Sequence, residues 1–446
     1  MTRHSKLSFI DNPMSRQRVQ YILSELSRII LVALLLFSGF VKGVDPMGGA
    51  IKIEEYLRVM ELGSLSVMAP AFSVALCSFE FLLGGLLLMG LWRKITAWAT
   101  TIFMGVMTLL TLYLALFNPI SDCGCFGDAL KLTNWQTFGK NVFFMAITIV
   151  YLLTYRRVSH PLRGTTGFVA ATILLLGWGI FVGGNLRHLP LIDFRPYKIG
   201  ASLRELTMIP ENAPQEEIEY LFIYEKNGLR ETFNMEDLPD STWTYIDRQE
   251  RVIKEGYKPP VMDFAIYAGG SSQQATEREV TQTMLLNESP QIWVITPNWE
   301  TTPIQIGRKL NALYEWAESV GVAMYGISGS SPEERGRWRN KTAAAYPLYF
   351  CDGTTIKTMA RAQPSVMLIS DGVILDKRAV RDLPDKYTNQ DYEKLSSLLR
   401  QAPHARLHIE RWGLLAAWIV FCLVMLIQSI QWEDKSKYSE YQIKTK

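Results

Sequence analysis

Polar and hydrophobic positions divide the chain into long apolar runs and one extended mixed stretch. The runs lie at residues 29–44, 70–91, 95–117, 138–155, 167–182 and 413–430. Each approaches the roughly 20 residues that a helix needs to cross a bilayer core, so six spans are expected. The first is short and must draw on residues 21–27 to reach across. Between the fifth and sixth runs, residues 185–412 return to the mixture of a water-soluble segment.

Lysine and arginine orient these spans. Lys6, Arg16, Arg18 and Arg28 precede the first run, Arg93 and Lys94 separate the second and third, and Arg156, Arg157 and Arg163 separate the fourth and fifth. Cytoplasmic connections carry such excess positive charge, so these alternate connections are expected inside. The tail with Lys435, Lys437, Lys444 and Lys446 then also falls inside, as an even number of spans requires. The polar break after the third run and all of residues 185–412 face outward. In a bacterium this means a multi-pass protein of the inner membrane with its soluble part in the periplasm, where disulfides form and persist. The first run has no small-residue cleavage site after it and reads as a signal anchor. A formal net charge of +3 gives no reason to expect a nucleic-acid or strongly acidic partner, and the lipid bilayer is the expected one.

Five cysteines are too few for a disulfide-stapled fold, so their positions matter more than their number. Cys77 and Cys422 lie in apolar runs and read as small packing residues. Cys123 and Cys125 flank Gly124 in the outward-facing break, within Cys123-Gly124-Cys125-Phe126-Gly127. Glycine gives the backbone the freedom to bring the two sulfurs together, and the small ring so closed would be strained. Strained, accessible disulfides are the exchanging kind, so Cys123 and Cys125 are the candidate catalytic pair. Soft metal ions also favour paired thiolates, but with five histidines in the chain and none beside this loop, no metal site is expected. Cys351 stands alone in the soluble part, either as an inert buried thiol or as a relay thiol for the pair. Glu80 interrupts the second run. A carboxylate there costs a few kcal/mol unless neutral, paired or hydrated, so it is a further candidate catalytic residue, with Lys42 or Arg28 as partner.

The soluble part reads as two pieces. Residues 185–259 contain a β-hairpin signal, Tyr220-Leu221-Phe222-Ile223-Tyr224 before Asn227-Gly228, and an aromatic segment at 188–197 expected to tie the domain to the bilayer. From residue 260 to 400 strands alternate with helices. A buried strand at 291–296 is followed by a helix at 303–320, a strand at 322–327, and a hairpin across Asp371-Gly372, which is an α/β plan.

Two resemblances follow from particular residues. Ser38-Gly39-Phe40-Val41-Lys42, Asp45-Pro46, Glu80-Phe81-Leu82-Leu83-Gly84-Gly85-Leu86 and the CGCFG element resemble DoxX-type membrane proteins, specifically the branch related to the methylamine-utilisation protein MauE. That resemblance implies a four-helix membrane unit over residues 1–158, associated with thiol-disulfide chemistry and maturation of exported proteins; residues 159–184 add a fifth helix and 401–446 a last helix and tail. Met262-Asp263-Phe264, Trp299, Tyr346-Pro347-Leu348-Tyr349 and Ala362-Gln363-Pro364-Ser365 resemble a thioredoxin-like domain. The resemblance places Pro364 at the family's cis-proline and makes Gln363 and Pro364 partner-binding residues. Where a redox-active member carries Trp-Cys-x-x-Cys, this chain has Trp299-Glu300-Thr301-Thr302-Pro303, so the domain is expected to bind a partner and not to run exchange itself.

The expected fold class is therefore an α-helical membrane bundle with a periplasmic thioredoxin-like α/β domain. The expected function is support of thiol-disulfide exchange through Cys123 and Cys125, as a component of a thiol-disulfide oxidoreductase acting on periplasmic client proteins. The alternatives are a non-catalytic envelope scaffold and a small-solute transporter. No cofactor is evident and no quinone-site motif is visible, which leaves the electron acceptor open.

Overall fold

The computed structural model describes residues 13–388 apart from 121–122, 158–163, 211, 227, 255, 258, 263 and 270–276, together with residue 391, and side chains from residue 19 onward. The run at 413–430, expected as the sixth span, lies outside the described residues. Among them, five helices are long and apolar enough to cross a membrane. They belong to α1 (Pro13–Val44), α3 (Ala69–Met89), α4 (Arg93–Phe117), α5 (Asn134–Thr154) and α6 (Gly164–Arg187), and α2 (Pro46–Val59) lies between the first two. The first helix does extend back through residues 21–27, which gives it the missing length.

Helix α2 is not among the expected elements. Its start is nevertheless written locally. Asp45 accepts the Gly48 backbone N–H at 2.8 Å as N-cap, and Pro46 occupies the first turn, where its missing N–H costs nothing. Being short and carrying Lys52, Glu54, Glu55 and Arg58, α2 does not continue the membrane path. It packs beside α1 and α3 at the end of the bundle where the loop between α4 and α5 also emerges.

Close approach of backbones holds the bundle, since lipid offers little hydrophobic drive for helices to associate. A Cβ at Gly39 would fall 2.6 Å from the backbone nitrogen of Phe81, which allows α1 and α3 to touch. Trp178 of α6 stacks on Phe81 at 3.8 Å between ring centroids and fills the space over Gly43. Replacing Gly39 by Ala should therefore force α1 and α3 apart and cost ~1–3 kcal/mol, the usual range for overpacking. Gly105→Ala, where nothing lies within 4 Å of the added carbon, is the matched control. Thermal unfolding in detergent should separate the two; equal midpoints would remove the argument for a backbone contact.

Beyond α6 come α7 (Leu203–Thr207), then β1 (Glu217–Lys226), β2 (Leu229–Asn234) and β3 (Thr244–Lys254), which form an antiparallel sheet in the order β2-β1-β3. The expected hairpin is present, with Lys226 paired to Leu229 and Gly228 at φ +80°. The remaining elements are β4 (Ile266–Ala268), β5 (Arg278–Glu279), α8 (Thr281–Leu285), β6 (Gln291–Thr296), α9 (Ile306–Ser319), β7 (Ala323–Ser328), α10 (Pro332–Thr342), β8 (Leu348–Cys351), α11 (Gly353–Met359), β9 (Ser365–Ser370) and β10 (Val373–Ala379). Their sheet runs β10-β9-β6-β7-β8-β4-β5, with β6, β7 and β8 parallel and β9 antiparallel to β6. The unit β6-α9-β7 flanked by the β9-β10 hairpin is the thioredoxin-like arrangement, and the Gln363–Pro364 peptide entering β9 is cis.

Alternation along the central strands sends side chains to opposite faces. Ile292, Val294, Val366 and Leu368 face a core made with α9 and Trp338. Trp293, Ile295, Met367 and Ile369 face a second core that includes Tyr197, Leu203 and Leu285. This second core corrects two expectations. The segment at 188–197 does not simply tether the domain to lipid: His188 bonds Asp382 at 2.6 Å, Arg195 donates to the Thr358 carbonyl at 2.6 Å, and Asp193 accepts from Lys377 at 2.9 Å. The α/β domain also begins before residue 260, because Tyr197 and Leu203 are fully buried in its core. The backbone N–H of Val261 rejoins at the carbonyl of Leu206, 2.9 Å away, so the three-stranded sheet is an insertion into the domain.

Candidate active site at the end of the helical bundle

The two cysteines sit where α4 ends. Asn118 closes α4 in the left-handed region at φ +45°, and a capping box at Thr133 and Gln136 starts α5. The intervening loop folds back over the bundle, with Phe126 buried against Phe37, ring centroids 5.4 Å apart. Lys140 Nζ of α5 lies over the Phe126 ring, 4.3 Å from its centroid. Gly124 adopts φ +62°, and a Cβ there would press on Lys52 of α2 at 3.2 Å. Both facts select glycine between the cysteines.

Neighbouring helices hold this loop by its carbonyls. Tyr56 of α2 donates to the Cys123 carbonyl at 2.9 Å. The Ser38 hydroxyl of α1 lies 3.0 Å from the Cys125 carbonyl and 2.8 Å from Glu80 Oε2, and its single proton serves one of them at a time. Lys42 donates to Glu80 Oε1 at 2.6 Å and to Ser38 Oγ at 3.2 Å. Of the two partners expected for Glu80, Lys42 is the one found. Arg28 instead bonds Glu25 and the Leu87 and Leu88 carbonyls, at 3.4 and 3.2 Å for the latter two. Glu80 is thus a buried, paired carboxylate one hydroxyl away from the cysteine loop.

The cysteines are free thiols and unequal. The Cys125 backbone N–H points at Cys123 Sγ, 3.3 Å away. Hydrogen bonding from the Cys125 thiol, opposed by burial and helped by that N–H, Thr137 and the charge of Lys140, pulls the Cys123 thiol down to about 6. The same hydrogen bond and deeper burial push the Cys125 thiol well above its ordinary value. One sulfur is therefore set up as a thiolate and the other as a protonated thiol beside it, the arrangement that attack and resolution require.

The thioredoxin-like domain docks directly onto this end of the bundle. Arg361, between α11 and β9 and nearly buried, bonds Asp45 at 2.9 and 3.1 Å and Asp128 of the cysteine loop at 3.3 Å, and donates to the Lys357 carbonyl at 2.7 Å. Gly48 leaves the room for this contact, since a Cβ there would meet Asp45 and the Arg361 guanidinium. Gln363 is exposed two residues beyond Arg361, and Pro364 is buried. The surface that the sequence assigns to partner binding thus starts beside the cysteine loop.

The remaining candidates are elsewhere. Cys351 is fully buried on β8 opposite Ile266, and burial together with the nearby Asp352 charge pushes its thiol up to about 12. A relay through it would require the sheet to open, so the inert reading fits and the relay does not. At the place of the absent dithiol, Trp299 is buried with its backbone N–H donating to Ser330 Oγ at 2.8 Å, and Glu300 pairs with Arg337 at 2.7 Å. Among the described residues no group of three or more His, Cys, Asp or Glu is placed to hold a metal ion.

Residues missing from the expected set are Ser38, Tyr56, Asp45, Asp128 and Arg361. Asp45-Pro46 carried a readable signal, a capping residue followed by proline at N1, that would have disclosed α2 and with it Tyr56. Arg361 had none, because its partners lie 316 and 233 positions away.

Residues 20–154 match the family profile described as methylamine utilisation protein MauE, and residues 218–255 match a domain of unknown function, DUF8463. Protein TlpB of Flavobacterium psychrophilum is 28% identical over 156 residues, which are 33% of this chain and 42% of that protein. The chain thus spans under half the length of this curated relative. Among solved structures, a candidate protein disulfide isomerase of Bacteroides thetaiotaomicron is 14% identical, with 32% of this chain and 91% of that one covered, at TM-score 0.24. Peroxidoxin BcpB of Mycobacterium tuberculosis is 18% identical, with coverages of 30% and 92% at TM-score 0.22. The chain is a multi-pass membrane protein whose bundle carries a MauE-type region and whose soluble part has a thioredoxin-like fold.

Proposed function

We propose that the protein exchanges disulfides at the outer face of a bacterial inner membrane, with Cys123 as attacking thiolate and Cys125 as resolving thiol. The observation that carries this reading is the geometry of the pair: two free thiols flank Gly124 in one loop, and the Cys125 backbone N–H is directed at Cys123 Sγ, 3.3 Å away, which favours a thiolate there and agrees with the lowered Cys123 and raised Cys125 thiols. Cys123 attacks a client disulfide, forms a mixed disulfide and releases one client thiolate. Cys125 then loses its proton and attacks Cys123 Sγ; the second client thiolate leaves, and the Cys123–Cys125 bridge remains. Two electrons have passed to the client, and the reverse sequence oxidises it. The thioredoxin-like domain supplies no thiol of its own. Arg361 holds it against the loop, so that the exposed Gln363, ahead of the buried Pro364, is the residue there that can meet a client segment near the cysteine loop.

Trapping tests the reading. With Cys77 and Cys422 replaced by Ala, the Cys125→Ser protein should accumulate client-linked species that reductant releases and that Cys123→Ser lacks. A permanent bridge with no trapped species would instead identify a scaffold. Glu80 no longer argues for a solute carrier, since Lys42 and Ser38 occupy it. The docking contact has its own expected result: Arg361→Ala should leave the loop chemistry intact but lower trapping of protein clients several-fold, without changing reaction with a small disulfide such as oxidised glutathione. Equal loss for both substrates would assign Arg361 to folding alone.

A further inference from the structure

We propose that β3 is a self-complementary edge through which two copies of this chain join their three-stranded sheets, a role that stands apart from the chemistry of the cysteine loop. β3 lies outermost in the order β2-β1-β3, and all of its residues are exposed. Among the described residues no strand pairs with its outer side. Such a row of free backbone N–H and C=O groups is a template for a further strand. Bulges mark both ends: Ile223 and Tyr224 face Asp247 and Tyr245, while Glu217 and Ile218 face Lys254 and Val252, so Ile246 and Ile253 are the extra residues. Between them residues 247–252 run as a regular strand.

Charge selects both the partner and the register. The run reads Asp247-Arg248-Gln249-Glu250-Arg251, and its signs invert about Gln249. When two such strands pair antiparallel about a two-fold axis at Gln249, Asp247 of one copy stands opposite Arg251 of the other, and Arg248 opposite Glu250. Ile246 then meets Val252, so the exposed apolar residues close both ends of the charged run. Residues directly opposite share a face, where unlike charges attract and like charges repel. Neighbouring registers fail. An axis at Arg248 or Glu250 sets that charge against its own copy, and an axis half a residue from Gln249 sets Asp247 against Glu250 or Arg248 against Arg251. The charges that guard the edge against foreign strands therefore admit one pairing. Within one strand Arg248 already donates to Glu250 at 2.8 Å, so the two-fold completes a square of alternating sign. The same patch serves both copies, and the contact is isologous.

The test uses the full chain with Cys77→Ala, Cys422→Ala, Cys123→Ser and Cys125→Ser, which leaves the fully buried Cys351 and makes the outcome independent of the loop thiols. Gln249→Cys places a thiol opposite its own copy at the ~4.5–5.5 Å Cα separation of paired strands, within disulfide reach. In membrane vesicles under mild oxidation it should form covalent dimers at least tenfold faster than Arg248→Cys or Glu250→Cys alone, whereas chains carrying those two separately should cross-link to each other. In detergent the wild-type chain should have the mass of two copies. Arg248→Glu turns two cross-strand pairs into like charges and should raise the dissociation constant at least tenfold; adding Glu250→Arg should restore it, with thermal unfolding unchanged in both. A wild-type chain that stays single at tens of micromolar overturns the proposal, as does a dimer indifferent to the charge reversal. Equal cross-linking at 248, 249 and 250 overturns the register.

Discussion

Replacing Cys123 with Ser should reduce disulfide exchange at least ~1,000-fold, because a nucleophile is removed outright and the rest of the site can only position the client. Cys125→Ser should behave differently. It retains attack and loses resolution, so the mixed disulfide accumulates while turnover stops. The two thiols should also separate by pH. With its thiol at about 6, Cys123 gains thiolate as pH rises through that value and is almost fully ionised by pH 7.5. Its alkylation rate should therefore climb about tenfold from pH 5 to 7 and then level off, since the thiolate is the reactive form. An ordinary thiol near 8.5 would still be climbing at pH 8. Removing the Cys125 hydrogen bond by Cys125→Ala takes away the first cause of the lowering, so the plateau should move upward in pH. Stability is linked with the same sign: a thiol whose folded value is depressed favours the fold above that value, and the contribution fades as pH falls through about 6. A Cys123 alkylation profile centred near 8.5 in wild-type protein would remove the asymmetry on which the exchange reading stands.

Much of this architecture was legible in the chain, for reasons that differ by element. The spans announce themselves because every backbone group in lipid must be satisfied within a helix, which demands long apolar runs. The strands around Trp293 and Met367 announce themselves as short apolar runs ended by turn residues, and Asp371-Gly372, both at positive φ, closes the last hairpin as its composition requires. CGCFG was legible because its chemistry is compressed into five neighbouring residues. What stayed hidden is whatever depends on residues brought together from far apart. Arg361 means nothing until the soluble domain is seen on Asp45 and Asp128, and Ser38 is one more small residue until it is seen between Glu80 and the Cys125 carbonyl. The boundary at residue 260 failed for the same reason: the three-stranded insertion separates Leu203 from the core it completes.

Glu80→Ala should destabilise the bundle by ~3–5 kcal/mol, the range for removing one partner of a buried ion pair, because it leaves the Lys42 ammonium in a site almost closed to water. Lys42→Met should cost a similar amount by stranding the carboxylate. The double variant, Lys42→Met with Glu80→Met, removes both charges and their desolvation cost together. It should regain most of the lost stability, so the cycle yields a large coupling energy. Stability and function should then part. Ser38 keeps a path to the Cys125 carbonyl in the double variant, at 3.0 Å in the native arrangement, so the loop stays anchored. The Cys125 thiol, however, loses the Lys42 charge that opposes its upward shift, while Lys140 remains beside both thiols. Resolution by Cys125 should slow several-fold in a protein that melts near the wild-type temperature, while Cys123 alkylation changes little. If instead each single variant unfolds within ~0.5 kcal/mol of wild type, the pair carries no structural weight, and Glu80 sits in the membrane for a reason other than Lys42.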